Sequence, residues 1–412
     1  FSFIMTNKKE KALEVLKKYW GYDSFRDIQE DVVLSVLNGR DTMALARTGL
    51  GKTVMFQVPA MLLEGTTIVV SPLKALQKDQ VDNCTKIGLP VAFINSDVGI
   101  RARRKILKQL EDNELKLLYV APETFFSDDF EPFRKVLKVP LIAIDESHCA
   151  SSWSDFRPTY QRIHEMRKMF PSAVMLAVTA TADEMIKKDI VKYTGLKPDY
   201  KLLTTSFDRV NIFYNVFKAT KPVSDHVLEI LMKYDKKTQG IIYCGTRDTA
   251  EQMSQYLNMI GYPTLCYHAG MKKKEKEKAQ EDYSNGVIKI VCATVAFGMG
   301  IDIPCVRYVI HVDPPHTFDD YSQQTGRCSR DGERADAYLI YLPETLRKAT
   351  WLISQTTKNP DRLHIKLMKL KQFHAFCKSN TCLRTQLLGY FNEKYPKSNC
   401  GSCNICLGKL TR

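Results

Sequence analysis

Two short stretches carry the residue types that phosphate chemistry needs. Thr48-Gly49-Leu50-Gly51-Lys52-Thr53 follows an apolar run at residues 42–46 and precedes a helix-compatible segment at 54–57. Glycines let backbone N–H groups curl around phosphates, and a following helix turns its positive end toward them. Lys52 would then neutralise the β- and γ-phosphates, with the Thr53 hydroxyl on Mg²⁺. Ala46 stands where the full G-x-x-x-x-G-K-[ST] pattern has its first glycine, so the reading rests on the remaining core and its setting. Further along, an apolar run at 141–144 ends in Asp145-Glu146-Ser147-His148. Paired acids at the end of a buried strand are costly unless something uses them. Asp145 can hold Mg²⁺ through water, and Glu146 can orient and deprotonate an attacking water. The combination implies ATP hydrolysis. A Ser/His/acid nucleophile is disfavoured, because adjacent residues face different directions.

Two further groups complete the list. In Gln323-Gln324-Thr325-Gly326-Arg327-Cys328-Ser329-Arg330 the two arginines lie three apart. On a helix they would share a face and could stabilise charge on a transferring phosphoryl group. Near the C-terminus, Cys400, Cys403 and Cys406 bring three thiols to one tight turn, with Cys377 or Cys382 as the fourth. Four thiolates make a closed tetrahedral zinc site with a folding role. An iron–sulfur cluster is the weaker alternative. A disulfide framework does not suit an intracellular ATPase.

The surrounding pattern must position these groups. Apolar runs at 42–46, 67–70, 117–120, 141–144 and 174–178 alternate with helical stretches, which implies a parallel α/β sheet. The pattern restarts after residue 211 with runs at 241–244, 264–267, 290–293, 308–311 and 338–341. Residues 344–391 are helical and 392–404 turn-rich, while 10–20 and the mixed-sign run 271–278 have helical character. The expected organisation is a first lobe at 1–205, a second at 206–343 and a helical cysteine-bearing module at 344–412. A 44% hydrophobic content excludes a disordered or collagenous chain. No apolar stretch is long enough to span a membrane, and no membrane partner is expected. A net charge of +14 attracts polyanions, of which nucleic acid is the usual one. The first residue is Phe1 rather than Met, so the chain is expected to be part of a longer protein. The remaining cysteines read as small buried hydrophobes in a reducing, intracellular compartment: nucleus in a eukaryote, cytoplasm in a bacterium.

The ordered series TGLGKT, VVSPLKALQKDQV, YVAPE, DESH, AVTATA, GIIYCGTR, YHAGM, ATVAFGMGID and QQTGRCSRDG resembles superfamily 2 helicases, and the RecQ family of DNA helicases in particular. The resemblance covers nearly the whole chain. It implies two tandem RecA-like parallel-sheet lobes followed by a small helical zinc-binding domain. It also implies an ATP- and Mg²⁺-dependent motor that tracks 3′ to 5′ on single-stranded DNA and unwinds duplex DNA, working in DNA repair and recombination and compatible with a monomer. Lys52, Asp145, Glu146, His148, Arg327 and Arg330 become the expected catalytic set, with Thr53 and Asp145 on Mg²⁺. Arg26 and Gln29 in WGYDSFRDIQ resemble an adenine-gripping motif, and join Thr48, Gly49, Gly51, Lys52 and Thr53 around the nucleotide. Ser71, Pro72 and Lys74, then Thr246, Arg247 and Thr294, resemble strand-contacting positions; Thr179, Thr181 and Asp302 resemble coupling and nucleotide positions. Trp153, Phe156 and Arg157 resemble an aromatic-rich loop that would sense single-stranded bases. TCLRTQLLGYF resembles the helix that supplies the first zinc ligand, which favours Cys382 beside Cys400, Cys403 and Cys406.

The chain departs from the family pattern at several points. The aromatic loop reads W-S-D-F-R where W-G-H-D-F-R is usual; Ser147 and Cys328 replace alanines, Ser329 a glycine, and Gln324 an acid. These changes bear on coupling and turnover. Relatives commonly continue into a winged helix, and without one weaker duplex binding and less processive unwinding are expected. A DNA-binding scaffold with weak or uncoupled ATPase, or an RNA-directed relative, are the alternatives.

Overall fold

The computed structural model describes residues 2–408 except 48, 73, 153–157, 181–182, 296, 298–302 and 304. The chain divides into two compact units, Phe1–Ser206 and Phe207–Arg412.

The first unit contains seven parallel strands: β1 (Thr42–Leu45), β2 (Thr67–Val70), β3 (Val91–Ile94), β4 (Leu117–Val120), β5 (Leu141–Ile144), β6 (Val174–Thr179) and β7 (Lys201–Thr204), in the order β3-β4-β2-β5-β6-β1-β7. Every residue of β1, β2, β4, β5 and β6 is buried. Their unbroken Val, Ile, Leu and Ala composition is what a strand covered on both faces requires. Because β5 and β1 flank β6, and Leu45 pairs with Thr179 while Ile144 pairs with Ala177, the three strands end at nearly one level. Chemistry carried on the loops after them is therefore side by side. The N-terminal helices Ser2–Trp20 and Gln29–Leu37 pack through Ala12, Leu16 and Val33 onto Val54 and Val58 of the helix Val54–Leu62. That packing anchors the segment between them beside the phosphate loop.

The second unit contains six parallel strands: β8 (Ile212–Lys218), β9 (Gly240–Tyr243), β10 (Thr264–Tyr267), β11 (Ile290–Ala293), β12 (Tyr308–His311) and β13 (Ala335–Tyr341), in the order β10-β11-β9-β12-β13-β8. Gly240 is required at the start of β9, since a Cβ there would lie 1.8 Å from the ring of Tyr308. Three helices follow, Thr345–Thr356, Pro360–Cys377 and Leu383–Tyr390, the first two joined through Ala349, Ile353 and Leu370.

The cysteine-rich tail is sewn to the edge of this sheet. Tyr214 N–H donates to the Ser402 carbonyl at 3.2 Å, and Asn404 N–H returns a bond to the Tyr214 carbonyl at 3.0 Å. The Asn404 side chain repeats the exchange with Val216, donating at 2.9 Å and accepting at 3.2 Å. Arg384, 2% exposed, donates to the carbonyls of Arg209 and Ile212 and pairs with Asp208. Among the described residues, no helix is long and apolar enough to cross a membrane.

The two parallel-sheet lobes and the helical C-terminal region are those expected. Three strands were not anticipated: β3, β7 and β8. All three are sheet edges, with half-buried or alternating patterns instead of continuous apolar runs.

Candidate nucleotide site and cysteine cluster

The loop after β1 turns on Gly49 and Gly51, at φ +87° and +79°, a region that residues with a Cβ rarely enter. Lys52 and Thr53 follow, Thr53 directly preceding the helix Val54–Leu62 with no side-chain cap bond of its own. Thr48 lies outside the described residues. Gln29 braces the loop from behind: its amide donates to the carbonyls of Leu50 at 2.8 Å and Gly51 at 3.1 Å, and its Oε1 accepts from Arg26 N–H at 2.8 Å. Gln29 is 4% exposed, so in this state its side chain serves the loop. Arg26 lies over the Tyr22 ring at 4.9 Å, an exposed pair beside the loop.

Directly across from the loop, Lys52 Nζ meets Glu146 Oε1 at 3.1 Å. Glu146 takes φ +48°, and its N–H donates to Asp145 Oδ1 at 2.9 Å. Asp145 is fully enclosed, and Gln80 Nε2 donates to its Oδ2 at 2.8 Å. Burial, and then the neighbouring charge of Glu146, push the Asp145 carboxyl above its usual range, while Lys52 and Gln80 pull the other way. His148 Nδ1 lies 2.8 Å from Thr179 Oγ1 and 3.4 Å from Glu146 Oε2. A chain of contacts therefore runs from Lys52 through Glu146 and His148 to Thr179 at the end of β6. Gln80 was not foreseen; its only sequence signal is a polar residue two turns into the helix Lys74–Lys86.

The strand-contacting candidates are placed unevenly. Ser71 is wholly buried, with its hydroxyl unpartnered among the described residues, whereas Lys74 is exposed and pairs with Asp97 at 3.0 Å. Pro72 is buried beside them. Trp153, Phe156, Arg157, Thr181 and Asp302 lie outside the described residues. In the second unit Thr246 caps the helix Arg247–Met259 by accepting from Thr249 N–H at 3.1 Å. The Arg247 guanidinium lies so close to Gly270 that a Cβ there would come within 2.9 Å of it. Thr294 follows β11, half-buried.

Arg327 and Arg330 do not share a helical face. The helix Phe318–Thr325 ends before them, and both sit in the turn that follows, where Ser329 takes φ +55° and breaks helical geometry. Both guanidiniums lie near the buried Tyr243 hydroxyl; burial pushes its pKa up and the two arginines counter that. Arg209 holds the turn by donating to the carbonyls of Gly326 at 3.3 Å, Cys328 at 2.9 Å and Ser329 at 2.9 Å. Asn211 adds a bond to the Ser329 carbonyl at 3.2 Å. Gln324 Oε1, at the end of the same helix, accepts from His311 Nε2 at 2.8 Å; burial holds that imidazole at about 4, hence neutral.

The thiols of Cys382, Cys400, Cys403 and Cys406 lie within 4.8 Å of one another. Backbone N–H groups of Ser402 and Cys406 point at the sulfurs of Cys400 and Cys403, at 3.3 and 3.4 Å. Burial pushes the Cys382 thiol up, but hydrogen bonds from Thr385 and the other thiols outweigh it and bring it down to about 6. Four converging sulfurs with N–H support are a donor set that fits Zn²⁺. Cys377 is buried outside this cluster, and no cysteine is in a disulfide.

Residues 26–188 match the DEAD/DEAH box helicase family, 223–332 the helicase conserved C-terminal domain, and 343–407 the RecQ zinc-binding family. The ATP-dependent DNA helicase RecQ of Haemophilus influenzae is 39% identical over 97% of this chain and 64% of its own length. That of Bacillus subtilis is 34% identical over 96% of this chain and 67% of its own. The chain thus spans about two thirds of the length of these relatives. Among solved structures, the DUF1998 helicase MrfA bound to DNA and AMPPNP superposes with a TM-score of 0.67 at 19% identity, covering 92% of this chain and 56% of that one.

Proposed function

The chain belongs to the RecQ helicase family, and from that premise we propose that it hydrolyses ATP to move 3′ to 5′ along single-stranded DNA and to separate duplex DNA. The observation that supports this most directly is the meeting of Lys52, Asp145 and Glu146 below the two-glycine loop. On this reading, Lys52 leaves Glu146 for the β- and γ-phosphates once nucleotide enters. Glu146 is thereby released to orient the attacking water and accept its proton. Mg²⁺, held by Thr53 and Asp145, would draw charge from the phosphate oxygens. Arg327 and Arg330 add guanidinium charge to the transferring phosphoryl group. Gln29 reads the edge of the adenine, with Arg26 supporting it. His148 and Thr179 relay the state of Glu146 toward the residues that follow β6. Lys74, Thr246, Arg247 and Thr294 hold the strand, with Trp153, Phe156 and Arg157 sensing its bases; Ser71, wholly buried, supports the segment before Lys74 from beneath. The four cysteines hold Zn²⁺ as a structural centre.

The decisive experiment compares ATP turnover with and without single-stranded DNA for the wild type and Glu146→Gln. Strong stimulation by DNA is expected, with a loss of about 10²–10⁴-fold in the variant and no loss of nucleotide binding. DNA binding without stimulated turnover in the wild type would favour a scaffold.

A further inference from the structure

The helix Ile100–Glu111 presents one face to solvent, and that face is cationic from Arg101 to Lys108 and closed at its C-terminal end by the exposed Glu111. Arg101, Arg104, Lys105 and Lys108 are all exposed, at the i, i+3, i+4 and i+7 spacing that lines residues along one side of a helix, while Ile106 and Leu110 face the core. None of the four has an ion-pair partner among the described residues. Helix stability does not ask for this arrangement. The first turn holds no acidic residue and two arginines, where the helix dipole favours the opposite charge. The lysine-rich helix Lys273–Ser284 makes a useful contrast. There Glu275, Glu277, Glu281 and Asp282 are interleaved with the cations, as on an ordinary solvated face.

The stripe also has a defined neighbour. Arg103, on the other side of the helix, donates to the carbonyls of Asn95 and Val98 at 3.1 Å each, which fixes the loop leading into it. That loop carries Ser96 and Asp97, which hold Lys74 Nζ. The exposed lysine at the start of the strand-contacting segment is therefore tied to the N-terminal end of the cationic helix.

We propose that the exposed face of Ile100–Glu111 is a phosphate track that extends the single-stranded DNA path beyond Lys74. This rests on the reading of the protein as a motor on single-stranded DNA. Cations without acids among them, spaced over seven residues, offer about 10 Å of binding surface at 1.5 Å per residue. That matches consecutive backbone phosphates and makes no demand on base identity.

The test is equilibrium binding of oligothymidylate of about 8 and about 16 nucleotides at several salt concentrations. It uses the wild type, a variant with Arg101→Ala, Arg104→Ala, Lys105→Ala and Lys108→Ala, and a control with Lys273→Ala, Lys274→Ala, Lys276→Ala and Lys278→Ala. The quadruple variant of the track is expected to lose affinity for the longer strand only. Its log–log salt dependence should shallow by about 2, at about 0.7 for each of the roughly two to three phosphates that such a track can neutralise. ATP hydrolysis without DNA stays at the wild-type rate, and the control retains the wild-type slope. A track variant that binds the longer strand like the wild type overturns the proposal and leaves the motor intact. Equal losses in track variant and control overturn it in favour of net charge, and a loss confined to duplex DNA overturns the single-stranded assignment. A wild type that neither binds DNA nor responds to it removes the motor reading as well.

Discussion

Glu146 in the first unit and Ser329 in the second both sit at positive φ, +48° and +55°, in turns that carry candidate catalytic groups, but they are held there differently. Glu146 is kept in place by the groups it would work with: Asp145 accepts its N–H and Lys52 pairs with its carboxylate. Ser329 is kept in place from outside, by Arg209 and Asn211 on its carbonyl and by its own hydroxyl against Asn211 and the Glu333 carbonyl. A left-handed conformation costs an L-residue about 1–2 kcal/mol. In the first turn that cost is unavoidable, because a glycine cannot serve as a base. In the second it is incidental, since the residue that bears the strain is not the one that bears the charge. One turn stores strain where chemistry is read, and the other stores it where two arginines are aimed.

The comparison is most sharply tested at Asp145. Its folded-state carboxyl is raised, so the protonated form favours folding. That stabilisation is complete below the unfolded carboxylate range and is lost as pH rises through the raised value. Asp145→Asn keeps an acceptor for Glu146 N–H in a neutral group. It should lower ATP turnover by about 10²-fold or more while raising Tm at neutral pH, by about 2–4 °C per kcal/mol relieved. The gain over the wild type should vanish in acid. A lower Tm at neutral pH would mean that the buried charge is part of the scaffold, and the contrast between the turns would collapse.

Arg209→Ala addresses the second turn by taking three carbonyls' donors away at once. A stability loss of about 1–3 kcal/mol and a fall of about tenfold in turnover are expected, with nucleotide affinity retained. Calorimetry and steady-state kinetics read the two separately; a stability loss with full turnover would show that Arg327 and Arg330 are aimed by something else. The smallest effect belongs to Ser329→Gly. Relief of positive φ is offset by the lost hydroxyl bonds and by glycine's chain entropy, so Tm should move by less than about 1 kcal/mol equivalent and turnover should hold. A large loss on that change would make the serine hydroxyl itself the organiser of the turn.

What could be read from the amino-acid order follows what is buried on all sides. Continuous apolar runs announced the interior strands, and the glycine–lysine and paired-acid motifs announced where their ends would meet. The edge strands were hidden because Lys201–Thr204 and Ile212–Lys218 alternate between covered and open sides. Three of the thiols were legible from spacing and the fourth from the family resemblance, and the structure assembles the cluster with Cys382 rather than Cys377. Braces such as Gln80, Arg209 and Arg384 were not legible. Each is a long polar side chain whose partner is a backbone or carboxylate oxygen remote in sequence, and periodicity carries no trace of such a bond. The arginine pair was placed on a helix by its three-residue spacing, but a residue at positive φ between them ends that geometry.

The pairing of Cys403 with Tyr214 at the border of the second sheet gives the cysteine knuckle a guarding role. An open strand border is a template for another chain, and sheets that leave one bare invite stacking of copies into aggregates. Here the N–H and C=O groups of Tyr214 and Val216 are covered by Ser402 and Asn404, in the turn that carries Cys400, Cys403 and Cys406. Whatever holds the thiols also hems the sheet, so stripping the cluster would show first as self-association and only then as lost activity.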